Sequence, residues 1–543
     1  MTVCFARLAA SPGRPKKVDI RRPFSFFEFR EEGFEYFPPL ARIFSQVRCL
    51  QATTMVVEKL APDCAEDLVT ESEDLCKRLG QEPTSEVSRL SFFLSPDRSD
   101  PAIALGDARF LGYAIIRTDR FKGGHTITRV HESVIQSSRI ENNFVHGAPE
   151  WKCRVGGEIF SIVGYLYAQQ NGYTNVCAHV ALRTMISAYH PEGDMTYREM
   201  NQLLGIDHGP NWVGVDLRNP EEGRGLSLQQ MMHLLGQQGA RCIQADYSGQ
   251  SAPPTPYQRY LYGSIESGFP AAIIFDTKDP GSQHVIPVFG HTFNRDLWVS
   301  NAEQSYFKIG EDTRFLPSDS WLSTFVMHDD NWGSNFCCPK HFLRSVPSTV
   351  STAKPNADRA DSAEWLAHVI ATLPKEIKMN PLHAEAIGLD FLSTLLPSLP
   401  GIDNIWSSRL DAYFKAGLVV YRTVSVSGGD YADHLQRLRG WAQRSKVEPK
   451  LMAGVRSLLG EKRYWMVEIS VPELFSANLR KIGEVLLDTE RTPMSKRDFD
   501  TFTLARIPGY FAVIGNADPA KPKFEFIPTC INSHVALYGC EDV

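Results

Sequence analysis

The sequence predicts an α+β fold divided into more than one domain. The chain has 543 residues, and at about 150 residues per domain this length suggests two to four domains. Helical periodicity at residues 174–190 is followed by a group of short strand-like segments between residues 271 and 301. Residues 346–362 are rich in Ser, Thr, Pro and Ala, which is the composition of a linker.

The charge balance argues against a protein dedicated to nucleic acid. Fifty-seven Lys and Arg residues against 63 Asp and Glu residues give a net charge of −6. The chain therefore lacks the overall positive field on which non-specific nucleic-acid binding depends. Hydrophobic residues make up 43% of the chain and charged residues 22%, close to the averages of globular proteins. We expect ordinary hydrophobic cores and no nucleic-acid partner.

The sequence also argues against a membrane or secreted protein. Its longest apolar stretches, such as residues 160–168, are much shorter than the roughly 18 residues that a membrane-spanning helix needs. The first apolar run is too short for a signal peptide, and the basic cluster follows it instead of preceding it. The 11 cysteines are scattered over the chain, unlike a dense disulfide framework. We expect a cytoplasmic protein with reduced thiols and no membrane partner.

Residues 1–150 are predicted to form an N-terminal α+β region, whose position upstream suggests a regulatory or substrate-selecting role. An acidic amphipathic helix is expected at residues 65–79, because its leucines fall near one face. Residues 109–118 and 125–130 are rich in β-branched and aromatic residues. That composition is typical of strands.

The predicted middle domain begins with a strand and two helices. Residues 158–170 have the composition of a buried strand, which leads directly into the helix at residues 174–190. Thr174 or Asn175 can cap the start of this helix, since each offers a side-chain oxygen to the first free N–H groups. A second helix is expected at residues 226–239.

Short strands complete this middle domain, which we place at residues 151–345. They are expected at residues 271–275, 284–293 and 297–301. The last two are predicted to form a hairpin with a turn at residues 294–296, where Asn, Arg and Asp follow one another.

The linker at residues 346–362 separates the middle domain from a C-terminal region. Residues 363–543 are predicted to form a mixed α/β domain of unknown role. Helices are expected at residues 363–400 and 431–460, and mixed strands toward the end of the chain.

Cys177 stands in the first turn of the predicted helix at residues 174–190. The free N–H groups and the dipole at a helix N-terminus favour a thiolate, and the thiolate is the nucleophile of cysteine catalysis. Gln170 lies seven residues upstream, at the end of the preceding predicted strand. A glutamine amide placed there can donate a hydrogen bond to an oxyanion that forms next to Cys177.

His284 and Asn301 are candidates for the base and for the residue that orients it. His284 opens one predicted strand, and Asn301 ends the next. If these strands form a hairpin, the two side chains lie close together. The Asn oxygen can then accept a hydrogen bond from the imidazole N–H and fix its tautomer.

Three other residues compete for these roles. His179 is two positions beyond Cys177 and points about 200° away around a helix, which favours a structural role. His291 lies seven residues beyond His284 on the same predicted strand, so the two face opposite sides; the apolar run after His284 favours His284 as the base. Asp296 is an alternative orienting residue, but it falls in a predicted turn, where Asp commonly forms local hydrogen bonds.

Two groups of residues contain the Cys and His side chains that bind zinc in proteins. They are Cys337, Cys338 and His341, with His328 or Asp329 as a further ligand, and Cys530, His534 and Cys540. Adjacent cysteines rarely point into one tetrahedral site, and the sequence has no CxxC pair. Phosphate-loop, dinucleotide and HExxH motifs are absent from the sequence as well. We therefore expect neither a metal nor a cofactor.

The order of these residues resembles that of the papain-like cysteine peptidases. Four segments resemble in particular the peptidases that process double-glycine leaders: QQNGYTNVCAHVALRTM, GLSLQQMMHLL, GFPAAIIF and HVIPVFGHTFNRDLWVSN. The resemblance covers residues 155–330, roughly a third of the chain. It implies a papain-like fold with Gln170 as oxyanion donor, Cys177 as nucleophile, His284 as base and Asn301 as orienting residue.

The resemblance implies a cysteine peptidase or isopeptidase that cleaves a protein or peptide substrate through an acyl-enzyme. Three features depart from the pattern: Ala178 follows the nucleophile, Gln170 is seven rather than six residues before it, and Asn301 replaces the usual Asp. The first two keep open a papain-like binding module without catalysis. A transglutaminase-type acyltransferase would share the same chemistry and differ only in the acceptor.

Overall fold

The computed structural model divides the chain into two compact units that alternate along the sequence. The residues it describes are 14–20, 25–95, 108–137, 143–171, 176–190, 194–206, 225–248, 255–277, 283–297, 307–309, 313–343, 366–398, 405–437, 448–491, 499–514, 524–528 and 534–535. The first unit takes residues 1–254, 268–292 and 324–372, and the second takes the rest. The sequence had instead suggested consecutive domains. The predicted linker, residues 346–362, lies outside the described residues.

The predicted α+β class is confirmed, because both units combine helices with largely antiparallel sheets. The helices of the first unit are α1 (Phe27–Glu31), α2 (Pro38–Cys49), α3 (Glu66–Leu79), α4 (Cys177–Ile186), α5 (Tyr197–Leu203) and α6 (Leu228–Gln237). Helix α3 agrees with the helix predicted at residues 65–79, and it ends at Gly80, whose φ of 66° is left-handed. Within the described residues, no helix is both long and apolar enough to cross a membrane.

The N-terminal part of the first unit is built on an antiparallel sheet whose five described strands follow in chain order. These are β1 (Lys16–Asp19), β2 (Thr54–Leu60), β3 (Thr84–Leu94), β4 (Arg109–Arg120) and β5 (Thr126–Ile135). Side chains alternate between its two faces: Val56 packs in one core with Leu68 of α3, and Met55 packs in another with Ile43 of α2. Strands β4 and β5 confirm the strands predicted at residues 109–118 and 125–130.

The second sheet of the first unit has seven described strands, in the order β15-β14-β11-β10-β16-β9, with β6 paired to β11. They are β6 (Asn143–Phe144), β9 (Ala240–Asp246), β10 (Ala271–Asp276), β11 (Gln283–Phe293), β14 (Leu322–Asp329), β15 (Gly333–Pro339) and β16 (Leu366–Pro374). The strands predicted at residues 271–275 and 284–293 are confirmed as β10 and β11. The neighbours of β11 are β10 and β14, and residues 298–301 of its predicted hairpin partner lie outside the described residues.

Two predicted elements differ in the structure. The helix expected at residues 363–400 is confirmed only at Pro381–Ser398, because residues 366–374 form β16. A strand covered on both faces is apolar almost throughout, so its pattern resembles that of a buried helix. The buried strand expected at residues 158–170 is confirmed only as a short strand, β8 (Glu158–Val163), which pairs with β7 (Glu150–Val155). The prediction that it is buried was wrong, because Ile162 is the one buried residue of β8. Beyond β8 the chain continues without a regular strand.

Helices α4 and α6 pack together against the seven-stranded sheet. Their buried faces share one core with the strands: Leu182 of α4 and Leu234 of α6 lie in the same cluster as Ile274 of β10 and Val285 of β11. Helix α6 begins with a capping box in which Ser227 and Gln230 satisfy each other's backbone N–H groups. This core holds the start of α4 next to β11.

The second unit is formed around a sheet with the described order β12-β13-β17-β18-β20-β21-β22-β23. The strands of this unit are β12 (Phe307–Ile309), β13 (Thr313–Pro317), β17 (Val420–Ser427), β18 (Arg463–Ser470), β19 (Arg480–Lys481), β20 (Gly483–Asp488), β21 (Phe502–Ile507), β22 (Tyr510–Ile514), β23 (Phe524–Pro528) and β24 (His534–Val535). Its helices are α7 (Tyr257–Ile265), α8 (Pro381–Ser398), α9 (Ile405–Ala416), α10 (Gly428–Arg437), α11 (Glu448–Leu459) and α12 (Pro472–Asn478). Helices α10 and α11 fall in the helical stretch predicted at residues 431–460.

Candidate active site

Cys177 is the first residue of helix α4 and is half-buried. The other residues of the helix, Ala178 to Ile186, are all buried, so packing fixes the helix while Cys177 itself stays partly exposed. The sequence predicted a start at Thr174 or Asn175, and both residues lie outside the described part of the chain. Because Cys177 is at the first helical position, its sulfur lies where free N–H groups and the helix dipole favour an anion.

Cys177 lies close enough to His284 for a side-chain hydrogen bond, and this contact is one of the causes that raise the pKa of the imidazole. His284 is the second residue of β11, opposite Phe275 of β10, and its ring meets the Phe275 ring edge-on with the centroids 5.5 Å apart. The imidazole is 11% exposed. The structure thus brings together the cysteine and the histidine that the sequence selected.

The Nε2 atom of the imidazole is held by Asp330, with Asn331 Nδ2 3.5 Å away. His284 Nε2 lies 3.0 Å from Asp330 Oδ1 and 4.0 Å from Asp329 Oδ1. Both carboxylates come from the tight connection between β14 and β15, and β14 is the neighbour of β11. Asp329 Oδ1 also accepts hydrogen bonds from the backbone N–H groups of Asn331, at 2.8 Å, and Trp332, at 3.2 Å. The turn that carries Asp330 is therefore fixed by its own hydrogen bonds.

The surroundings of His284 favour its charged form. Burial alone lowers the pKa of an imidazole, but hydrogen bonds to Asp330 and Cys177, with the charges of Asp330 and Asp329, raise the pKa of His284 to about 10. Burial raises the pKa of Asp329 from its ordinary value of 3.8. A pKa this far above 7 favours the imidazolium form of His284 at neutral pH.

Two other predicted site residues are not placed against Cys177 by the structure. Asn301 lies outside the described residues, so its orienting role stays a prediction. Gln170 is half-buried in the segment after β8, and its oxyanion role stays a prediction as well. Its neighbour Asn171, six residues before Cys177, is buried and donates from Nδ2 to Glu71 Oε1 at 3.1 Å.

The competing histidines have other contacts. His179 Nε2 lies 2.8 Å from Asn201 Oδ1, in agreement with the predicted structural role. His291 is fully buried and its ring stacks on Phe144 with the centroids 4.8 Å apart. Asp296 is exposed, and its backbone N–H donates to Asn294 Oδ1 at 2.8 Å, the local turn bonding expected from the sequence.

The sequence-based zinc candidates do not converge. Cys337 and Cys338 are consecutive on β15, where the first is exposed and the second buried, so they lie on opposite faces. His328 uses both ring nitrogens: Nε2 bonds to the Tyr165 carbonyl at 3.2 Å, and Nδ1 accepts from the Asn335 N–H at 3.0 Å. Burial lowers the pKa of His328 to about 3. Cys530 and Cys540 lie outside the described residues.

A buried network of charged residues anchors helix α4 and was missed from the sequence. Arg183 Nη2 lies 2.6 Å from Asp194 Oδ2 and 3.4 Å from Glu132 Oε2. His131 Nε2 lies 2.7 Å from Asp67 Oδ2, and both belong to the same network. The signal that could have revealed it is the presence of a histidine and a glutamate in the otherwise apolar half of β5.

Two groups of described side chains have the composition of a metal site: His284 with Asp329 and Asp330, and His131 with Asp67 and Glu132. The second also contacts the guanidinium of Arg183, whose charge already neutralises its carboxylates. Comparison of the chain with protein-family models, with curated proteins and with solved structures finds no match. The function therefore has to be inferred from the geometry of the first unit.

Proposed function

We propose that this protein is a cysteine peptidase or isopeptidase of the papain-like type, with Cys177 as nucleophile, His284 as acid and base, and Asp330 as the orienting residue. One observation carries the proposal: a cysteine at a helix N-terminus lies against a histidine whose Nε2 atom is held by a buried carboxylate. Nucleophile, base and orienting group in this order are the parts that acyl transfer through a covalent intermediate requires.

The reaction would run in two steps. The Cys177 thiolate attacks the carbonyl carbon of the scissile bond, and the carbonyl oxygen becomes an oxyanion that the Cys177 backbone N–H and Gln170 stabilise. When the C–N bond breaks, the His284 imidazolium gives its proton to the leaving amine. A water molecule then attacks the thioester while His284 takes one of its protons, and the thiolate leaves. Asp330 accepts the hydrogen bond of the ring and holds the ring in place.

Thiol reactivity at low pH tests the proposal directly. An ordinary cysteine is almost wholly protonated at pH 6 and reacts slowly with iodoacetamide. In the full-length protein, we expect Cys177 to be labelled first at this pH, ahead of the exposed Cys49 and Cys337. Peptide mass mapping gives the rate at each cysteine.

The matched variants are His284→Ala and His368→Ala. His368 is another histidine of the same sheet with a carboxylate at its ring, since its Nδ1 lies 3.3 Å from Asp246 Oδ1. The first variant should slow labelling of Cys177 sharply, and the second should leave it unchanged. Labelling of Cys177 that is no faster than that of Cys49, or that does not respond to His284→Ala, would contradict the proposal.

A chromogenic ester then distinguishes hydrolysis from acyl transfer. A peptidase should release one equivalent of leaving group in a burst and then turn over with water, whereas Cys177→Ser should give no burst. Adding a primary amine should change the product only if the enzyme is an acyltransferase of the transglutaminase type. The absence of any thioester at Cys177 would favour a binding module without catalysis.

A further inference from the structure

We propose that His284, Asp329 and Asp330 form a binding site for a divalent cation of the zinc type, and that the bound ion silences the Cys177 thiol. The first part concerns metal binding alone, and the second part rests on the proposed function. The carboxylates and the ring nitrogen would act as ligands, so the same residues would serve catalysis when the ion is absent and inhibition when it is present.

The donor set and its spacing fit such an ion. One ligand atom from each of the three residues lies within 4.8 Å of the other two, and all three residues are buried. An imidazole nitrogen with carboxylate oxygens is a set that zinc accepts at open sites, where further positions hold water. His284 comes from β11, Asp329 from the end of the adjacent strand β14, and Asp330 from the turn that follows it, so one sheet supports all three donors.

A second, independent observation points to a ligand at this position. Asp330 is 5% exposed, and its Oδ2 atom has no hydrogen-bond partner within the part of the chain that the structure describes. Its Oδ1 atom is used by His284. A buried carboxylate oxygen without a donor is unfavourable, and a cation placed between Asp330 and His284 would satisfy it.

The outer contacts orient the ligands. The N–H groups of Asn331 and Trp332 hold Asp329 Oδ1, and hydrogen bonds of this kind to ligating carboxylates are typical of built metal sites. In the other group with metal-site composition, the carboxylates of Asp67 and Glu132 face Arg183. Within the described residues, the partner of Asp330 is the His284 ring, which is itself one of the proposed ligands, and no guanidinium contacts Asp329 or Asp330.

Metal at His284 Nε2 would block catalysis through the proton balance. An imidazolium must lose its Nε2 proton to solvent before that nitrogen can coordinate an ion. While the ion stays bound, the ring cannot return to the imidazolium form. With the ion on Nε2, the one proton left on the ring is at Nδ1, so this nitrogen has no lone pair with which to take the proton of Cys177.

The test of the metal site uses full-length Cys177→Ser, so that the active-site thiol cannot act as a ligand. In equilibrium dialysis, Cys177→Ser should bind one equivalent of Zn²⁺. The double variant Cys177→Ser with Asp330→Asn should not bind this equivalent. The matched control is Cys177→Ser with Asp246→Asn, which removes the carboxylate that pairs with His368. This control should still bind the equivalent of Zn²⁺. The remaining cysteines are the same in every variant, so their contribution cancels.

Two results would overturn the metal site. One is equal Zn²⁺ binding with and without Asp330, and the other is loss of the equivalent on Cys177→Ser alone, which would make the thiol the ligand. If Asp330→Asn does not fold, Asp329→Asn is used in its place. It should lower the affinity for Zn²⁺ at least tenfold. An unchanged affinity in that variant would contradict the proposal equally.

The inhibitory part has its own readout. Zn²⁺ should slow alkylation of Cys177 at pH 6 at least tenfold in the wild-type protein, a chelator should reverse the effect, and Asp330→Asn should not respond to the ion. If Zn²⁺ binds but leaves the alkylation rate unchanged, inhibition is refuted. If Cys177 is unreactive in the absence of metal while Cys177→Ser still binds Zn²⁺, the proposed function fails and the metal site stands.

Discussion

His284 Nε2 and Asp330 Oδ1 lie 3.0 Å apart, and both side chains are buried. This pair joins β11 to the turn after β14, and the ring also lies against Cys177 at the start of α4. A carboxylate at this position does two things at once: it fixes the direction of the ring and it stabilises the charge that the ring gains. The next predictions follow from that double role.

Asp330→Asn should impair catalysis and move its pH dependence. The substitution keeps the shape of the side chain but removes a negative charge that raises the pKa of His284. The imidazolium should therefore deprotonate below pH 10, and the alkaline limb of hydrolysis should move to lower pH. We expect the rate to fall about 10²- to 10⁴-fold. The pH profile of kcat/KM and an NMR titration of His284 measure both effects.

The same assay on Asn301→Ala tests the residue that the sequence selected. If Asp330 alone orients the ring, Asn301→Ala should change kcat/KM only a few-fold and leave the alkaline limb in place. A loss as large as that of Asp330→Asn would show that Asn301 takes part.

The sequence selected Cys177 and His284 from a helix start, a strand start and their order along the chain, and the structure brings the two residues together. Asp330 lies at neither a helix start nor a strand start. It reaches His284 because β14 pairs beside β11, and strand pairing between distant segments is not encoded in either segment alone. Asp329 had drawn attention only as an additional zinc ligand. The acidic turn of residues 329–331 between two apolar strands was the available signal.

Arg183→Met should destabilise the first unit. The substitution removes the guanidinium that neutralises Asp194, Glu132 and Asp67 and leaves buried carboxylates without that partner. Breaking a buried ion pair from one side costs about 3–5 kcal/mol of unfolding free energy. Hydrogen exchange of the α4 amides in the full-length protein measures the loss.

The control for this prediction is Arg120→Met in the same unit. Arg120 pairs with Glu86 at 3.1 Å, and both side chains are largely exposed. Surface changes of this kind stay within about 0.5 kcal/mol. Equal effects of the two substitutions would disprove the importance of the buried network.

The stability of the first unit should decrease at alkaline pH because of His131. Burial lowers the pKa of this residue, but Asp67 and Glu71 outweigh it and raise the pKa from 6.5 to about 9. The folded state therefore binds the proton more tightly than the unfolded state. The resulting stability is fully present below pH 6.5 and is lost as the pH rises through about 9. The contribution is on the order of 3 kcal/mol.

His131→Gln should remove this part of the pH dependence. The variant should be less stable than the wild type near pH 6, and the difference should narrow toward pH 10. Chemical denaturation of both proteins across this range makes the comparison. A difference that does not vary with pH would contradict the assigned charge of His131.

Gly290→Ala should disturb β11, the strand that carries His284. A Cβ at this position would lie 2.7 Å from the Phe144 carbonyl oxygen and 2.8 Å from a methyl group of Val145. Such overpacking costs about 1–3 kcal/mol. Gly236→Ala is the matched control: it faces open space on helix α6 and should stabilise the protein by about 0.5–1 kcal/mol. Thermal unfolding of the two variants should show shifts of opposite sign, and shifts of the same sign would refute the prediction.

The place of β16 in the sheet has a consequence for how the protein is made. Residues 366–374 lie between β10 and β9, although most of the first unit precedes them in the sequence. A nascent chain therefore exposes the edge of β10 until the ribosome has passed this strand, and an open edge is prone to pair with other chains. The sheet that carries His284 and Asp330 is completed only late in synthesis. A chain that ends before β16 would leave the edge of β10 open and would be a substrate for chaperones.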